Sequence, residues 1–110
     1  MADYMIQLSY TPSGWSAMIK NPQNRQEAVR GVVEKLGGKI KSFWMTFGES
    51  DIVGILEMPA NTNAAAFAMA IAAGGACTNV KTTPLLQLEE GLEAMKLAAT
   101  CGYKPATSGD

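Results

Sequence analysis

Histidine is absent from the 110 residues. That absence removes the side chain most used as a general base near neutral pH, the commonest metal ligand and any catalytic triad built on imidazole. Charge is scarce as well. Nine basic residues against ten acidic leave a net charge of −1, with no basic excess to neutralise a run of phosphates, which argues against nucleic acid as a direct partner. The two cysteines, Cys77 and Cys101, form no CxxC pair. They read as reduced thiols rather than a zinc or thioredoxin-like centre. Long hydrophobic runs are also missing. The longest, residues 64–76, is mostly alanine and is broken near its end by Gly74-Gly75, too short and too weakly apolar to cross ~30 Å of hydrocarbon, so no membrane partner is expected. Residues 1–10 carry no secretory pattern, and the expected location is cytoplasmic. No cofactor or metal is implied. Haem would have to be held by Tyr, Cys or Met, and Met5, Met18, Met45, Met58, Met69 and Met95 read as pliable core fillers instead.

What is present is a chain 47% hydrophobic and 17% charged, enough to build one core but not two. Residues 1–101 are expected to form a single domain, and the small, polar, proline-containing residues 102–110 a flexible tail.

Residues 4–10 alternate, with Tyr4, Ile6, Leu8 and Tyr10 on one face and Met5, Gln7 and Ser9 on the other, which predicts a half-buried strand. Thr11-Pro12 starts a short helix carrying Trp15, Met18 and Ile19. Asn21-Pro22 repeats that start signal before a second helix whose stripe is Ala28, Val29, Val32, Val33 and Leu36, ended by Gly37-Gly38. Residues 39–47 and 51–58 predict two strands joined through Gly48-Glu49-Ser50 into an antiparallel hairpin. A small-residue helix over 63–73 follows, capped by Asn61 or Thr62. A fourth strand then spans 77–88, with Pro84 marking an edge or a bulge, and a last helix spans 89–100 with Leu88, Leu92, Met95 and Ala99 on one side.

The order β-α-β-β-α-β, with one extra helix, predicts an α+β, ferredoxin-like fold: a four-stranded antiparallel sheet with its long helices on one face, plus a C-terminal helix. If Thr46 faces Ile52 in the hairpin, Trp44 meets Gly54 and Ser42 meets Leu56. Large apolar groups then occupy both faces of the sheet. Helices can cover one face, and a second subunit is the simplest cover for the other.

The run Gly48-Glu49-Ser50-Asp51-Ile52-Val53, followed by Leu56-Glu57-Met58-Pro59, resembles the GYD domain family, small bacterial proteins of unassigned biochemical role within the dimeric α/β-barrel superfamily. Tyr10-Thr11 with Gly14, residues 36–44 and Asn79-Val80-Lys81-Thr82 match the family's pattern in the same order. The family's tyrosine before the aspartate is Ser50 here. The resemblance implies two sheets from two subunits packed face to face into a barrel, and it implies little chemistry, because relatives in the superfamily range from cofactor-free oxygenases to sensors.

Candidate site residues follow from what such a sheet would leave in need of partners. Gln7, Ser9, Ser42 and Thr46 are polar groups on partly buried strand faces, and a ligand is one partner for them. Tyr10 and Trp44, with Trp15 and Tyr4, are aromatic candidates for a pocket wall. For catalysis, Asp51 or a tyrosine is the candidate base, with Ser42, Thr46 or Trp44 as orienting groups, and Asp51 is weighed against a turn-capping role. Glu57 lies six residues away, about 20 Å at strand rise, too far to pair with it. The expected function is a homo-oligomeric small-molecule-binding, sensing or accessory protein. A cofactor-independent enzyme with a pocket in the barrel and a structural assembly subunit are the alternatives.

Overall fold

The computed structural model describes residues 1–106, so the final part of the expected tail, 107–110, lies outside the described residues. Eight elements run in the order β1 (Ala2–Tyr10), α1 (Pro12–Lys20), α2 (Arg25–Lys35), β2 (Lys39–Met45), β3 (Ile52–Met58), α3 (Asn61–Ala73), β4 (Cys77–Leu85) and α4 (Leu88–Thr100). The sheet order is β2-β3-β1-β4, antiparallel throughout. This is the ferredoxin-like arrangement that the element order predicts.

Strict alternation makes the core. Tyr4, Ile6, Leu8 and Tyr10 from β1 meet Ile52, Leu56 and Met58 from β3, and Val29 and Val33 of α2 with Ala64 and Phe67 of α3 close over them. A strand's side chains point alternately to its two faces, so every one of these contacts lies on one side of the sheet. The other side carries Met5, Gln7, Val53, Ile55, Ser42 and Trp44, which lie outside the core that the described helices close over.

Four local expectations are corrected. The hairpin register is shifted by one: Met45 faces Ile52, Trp44 faces Val53 and Phe43 faces Gly54. Thr46 pairs with Asp51 through a 2.8 Å backbone bond, closing a four-residue turn over Phe47–Ser50 rather than three. The shift seats the Phe43 ring over Gly54, so closely that a Cβ there would strike it, and turns Trp44 to the open face. A bulge between Ile40 and Ser42 restores Ile40 to the core side. Helix α2 starts at Arg25 rather than at Asn21-Pro22, because the Asn24 side chain accepts the Gln26 N–H at 3.0 Å. Neither Asn61 nor Thr62 caps α3. Ala60 holds that position without a side-chain bond, while Asn61 Oδ1 accepts the Tyr4 hydroxyl at 2.6 Å and the Asn63 amide donates to the Leu36 carbonyl. Strand β4 stops at Leu85; it is an edge, as Pro84 requires, but its bulge lies between Lys81 and Thr78, with Asn79 at positive φ.

Helix α4 follows the sheet and stands apart from it. A capping box between Gln87 and Glu90 starts it, yet it buries no residue and has no extensive packing contact with any other element. The described residues therefore extend 62 × 33 × 22 Å with a radius of gyration of 18.0 Å, against ~13 Å for a compact domain of this length.

Candidate functional site

On the helix face, β1 ends at Tyr10 and the next residue caps α1, Thr11 Oγ1 accepting the Gly14 N–H at 3.1 Å. The Thr11 N–H bonds the Ala76 carbonyl at 2.9 Å. Gly14 is buried, and a Cβ there would overlap that same carbonyl. Only a residue without a side chain lets α1 come this close to the start of β4. The approach sets Trp15 edge-on to Tyr10, ring centroids 5.0 Å apart at 65°.

Residues 21–24 then cross from α1 to α2 and leave a groove between themselves, α1 and the ends of β2 and β3. Its three adjoining hollows, of about 350, 260 and 130 Å³, all include Gln23. Trp15, Met18 and Met45 wall the largest. Phe43, Met45 and Arg25 line the second, and Tyr10, Arg25 and Cys77 the smallest. A concave, largely apolar surface with a few convergent polar groups is the usual form of a small-molecule site.

Arg25 supplies the charge. It is the first residue of α2 and half-buried, and its Nη1 donates to Gln23 Oε1 at 2.7 Å. Among the described residues no carboxylate lies within ion-pair distance of it; the ion pairs are Arg30–Glu27, Lys39–Glu57, Lys41–Asp3 and Lys41–Glu57. Burial pushes the Tyr10 hydroxyl above its ordinary pKa, with the neighbouring Cys77 adding to the rise and the Arg25 guanidinium opposing it. Burial likewise raises the Cys77 thiol, again against Arg25. At neutral pH the groove thus presents a neutral phenol, a neutral thiol and a guanidinium.

The sheet divides the residues singled out from the sequence. Tyr10 lies on the helix face with Trp15, in the groove. Gln7, Ser9, Ser42 and Trp44 lie on the open face, where Gln7, Val53 and Trp44 form one cross-strand row and Met5, Ile55 and Ser42 the next. Thr46 sits at the hairpin end. It shares with Gln7, Glu49 and Ser50 a shallow hollow of about 340 Å³ on the open side. There the Thr46 hydroxyl donates to the Ser50 carbonyl, and the Ser9 hydroxyl to the Glu49 carbonyl at 3.2 Å. Asp51 extends β3 past its last paired residue: its N–H bonds the Leu8 carbonyl at 2.8 Å and its Oδ2 accepts the Tyr10 N–H at 2.9 Å. Tyr4 is core, its hydroxyl held by Asn61. Among the described residues no three His, Cys, Asp or Glu side chains gather as a metal-binding group, and no helix is long and apolar enough to cross a membrane.

Arg25 and Gln23 escape the reading of the sequence because the Asn-Pro pair at 21–22 imitates a helix start, and Phe43 because the hairpin register is shifted by one. The competing signal is Asn24 with Glu27 three residues later, the stronger N-terminal pattern, which places Arg25 at the helix mouth.

Sheet order and helices on one face define a ferredoxin-like α+β domain, with a groove at the strand ends. The family model for the GYD domain matches residues 4–95, and the chain belongs to that family. Neither the curated proteins nor the solved structures yield a match.

Proposed function

We propose that the protein works as a homo-oligomer, at least a dimer, that binds a small, largely apolar molecule in a sensing, carrying or accessory role. The observation that carries this reading is the uncovered second face of the sheet, where Met5, Val53, Ile55 and Trp44 stand in adjacent rows. Antiparallel sheets that face water alternate apolar with polar residues, and these rows break the alternation. Two such faces laid together would form a barrel, with ion-paired Lys41, Asp3 and Glu57 marking one end of each sheet and the helix-side groove remaining open to a ligand.

The geometry favours binding over catalysis. The Asp51 carboxylate already accepts a backbone N–H, and the Tyr10 hydroxyl is a weaker acid than free tyrosine, so it is held protonated where a base would have to be ionised. Native mass spectrometry of the protein purified from the organism that makes it tests the proposal. A dimer or larger species carrying a small-molecule mass supports it, and a ligand-free monomer overturns it. Ile55→Lys on the open face is expected to shift the assembly to monomer while leaving the far-UV circular dichroism unchanged.

A further inference from the structure

We propose that the helix-side groove selects an amphipathic carboxylate, its anionic head held by Arg25 and the Tyr10 hydroxyl and its apolar body lying along Trp15, Met18 and Met45. The inference deepens the small-molecule reading above and rests on it.

Three features converge on the head-group position. Arg25 is half-buried with no carboxylate in ion-pair reach among the described residues, although a guanidinium withdrawn from water ordinarily sits beside a counter-charge. It occupies the first turn of the 11-residue helix α2, where the backbone N–H groups already make the potential positive and a cation is disfavoured. An anion at this point would relieve both. The third feature is Tyr10, only 8% exposed, whose side chain reaches the hollow that Arg25 and Cys77 also line and whose hydroxyl, already in hydrogen-bond reach of the Arg25 guanidinium, donates its own proton to no acceptor among the described residues. Gln23 completes the geometry. Its carbonyl takes one N–H of the guanidinium at 2.7 Å and fixes its orientation, leaving other donors of the fork for a bidentate, planar acceptor.

The body of the ligand follows from the walls. From Arg25 the groove runs past Met45 to the largest hollow, of about 350 Å³, where Trp15 and Met18 offer aromatic and thioether surface and no charged side chain. A molecule spanning both ends therefore needs a compact anion at one end and an aliphatic or aromatic body at the other.

The test compares decanoate with its uncharged counterpart decanol on the purified oligomer, by isothermal titration calorimetry. Saturable decanoate binding at least tenfold tighter than decanol is expected. Arg25→Gln is expected to weaken decanoate about tenfold or more without changing decanol, and Arg25→Lys to restore part of the loss. Because the wild-type comparison stands alone, a variant that fails to fold leaves the test decisive. Equal affinity for decanoate and decanol, undiminished decanoate binding in Arg25→Gln, or no saturable binding of decanoate overturns the assignment. A neutral molecule co-purifying with an intact oligomer overturns it too, while leaving the broader small-molecule reading standing.

Discussion

The Asp51 carboxylate meets the Tyr10 N–H at 2.9 Å just beyond the last paired residue of β3, so the side chain extends a ladder that the backbone alone would have ended. Asn can supply the same acceptor oxygen and Ala cannot. Asp51→Asn is therefore expected to keep its stability within about 0.5 kcal/mol, and Asp51→Ala to lose about 1 kcal/mol or more in urea unfolding, because a charge-assisted hydrogen bond disappears and a strand N–H is left unpaired. Equal losses in both would show that the negative charge, rather than the acceptor, matters there. Thr82 poses the opposite case. It faces the core side opposite Ile6, and its hydroxyl is buried with no hydrogen-bond partner among the described residues. Thr82→Val keeps the shape and removes the unpaired group, with an expected gain of about 1 kcal/mol in the same measurement; a loss of similar size would mean that the hydroxyl is satisfied in solution.

At the scale of elements, α4 is the part least supported by its own chain. Thirteen residues are marginal as an isolated helix in water, and a capping box contributes only about 1 kcal/mol. Its stripe of Leu88, Leu92 and Met95 nevertheless stands 88%, 54% and 68% exposed, at a spacing that makes one continuous apolar seam. Leu92 is more than half exposed on a helix with no extensive packing contact within the subunit, so a monomeric protein would lose little stability on Leu92→Lys. In the proposed oligomer the same change is expected to lower the assembly's thermal midpoint by several degrees and to raise the monomer fraction in sedimentation velocity. An unchanged oligomer would remove α4 from the interface. The β2–β3 hairpin shows how much one element can redirect: a one-residue slip exchanges the two faces of a strand, and here it moves Phe43 and Met45 to the groove and Trp44 to the open face.

For the molecule as a whole, the scarcity of titrating groups has a measurable consequence. With no histidine, no side chain at its ordinary pKa titrates between about pH 5 and 8. On the alkaline side, burial holds the Cys77 thiol above 9.0 and the Tyr10 hydroxyl above 10.0. The unfolded chain releases those protons first, so the folded state binds more of them and stability falls as pH rises through this range. The urea midpoint is expected to decline from about pH 9 upward. The Tyr10→Phe variant should lose less than the parent above pH 10, and parallel curves for the two would exclude Tyr10 as a contributor.

Much of this architecture was legible from local chemistry. Alternation in β1, the glycine stop after α2, with Gly37 at φ +85°, and proline in an edge strand are rules of single elements that the chain obeys. The candidate site was less legible. Gln7, Ser9, Ser42 and Trp44 were recognisable as residues in want of partners, but nothing local could show that the sheet would part them from Tyr10. Arg25 reads as one more solvated charge until α2 begins there, directly behind its Asn24 cap.

The amino-acid sequence by itself therefore determined the order of elements, the ferredoxin-like sheet and the buried face, because side-chain periodicity and capping act within a few residues. The tertiary structure alone decided the hairpin register, the groove and the isolation of Arg25 within it. These depend on which surfaces meet across distant parts of the chain, where a ring over Gly54 and a bare glycine against Ala76 outweigh any local preference.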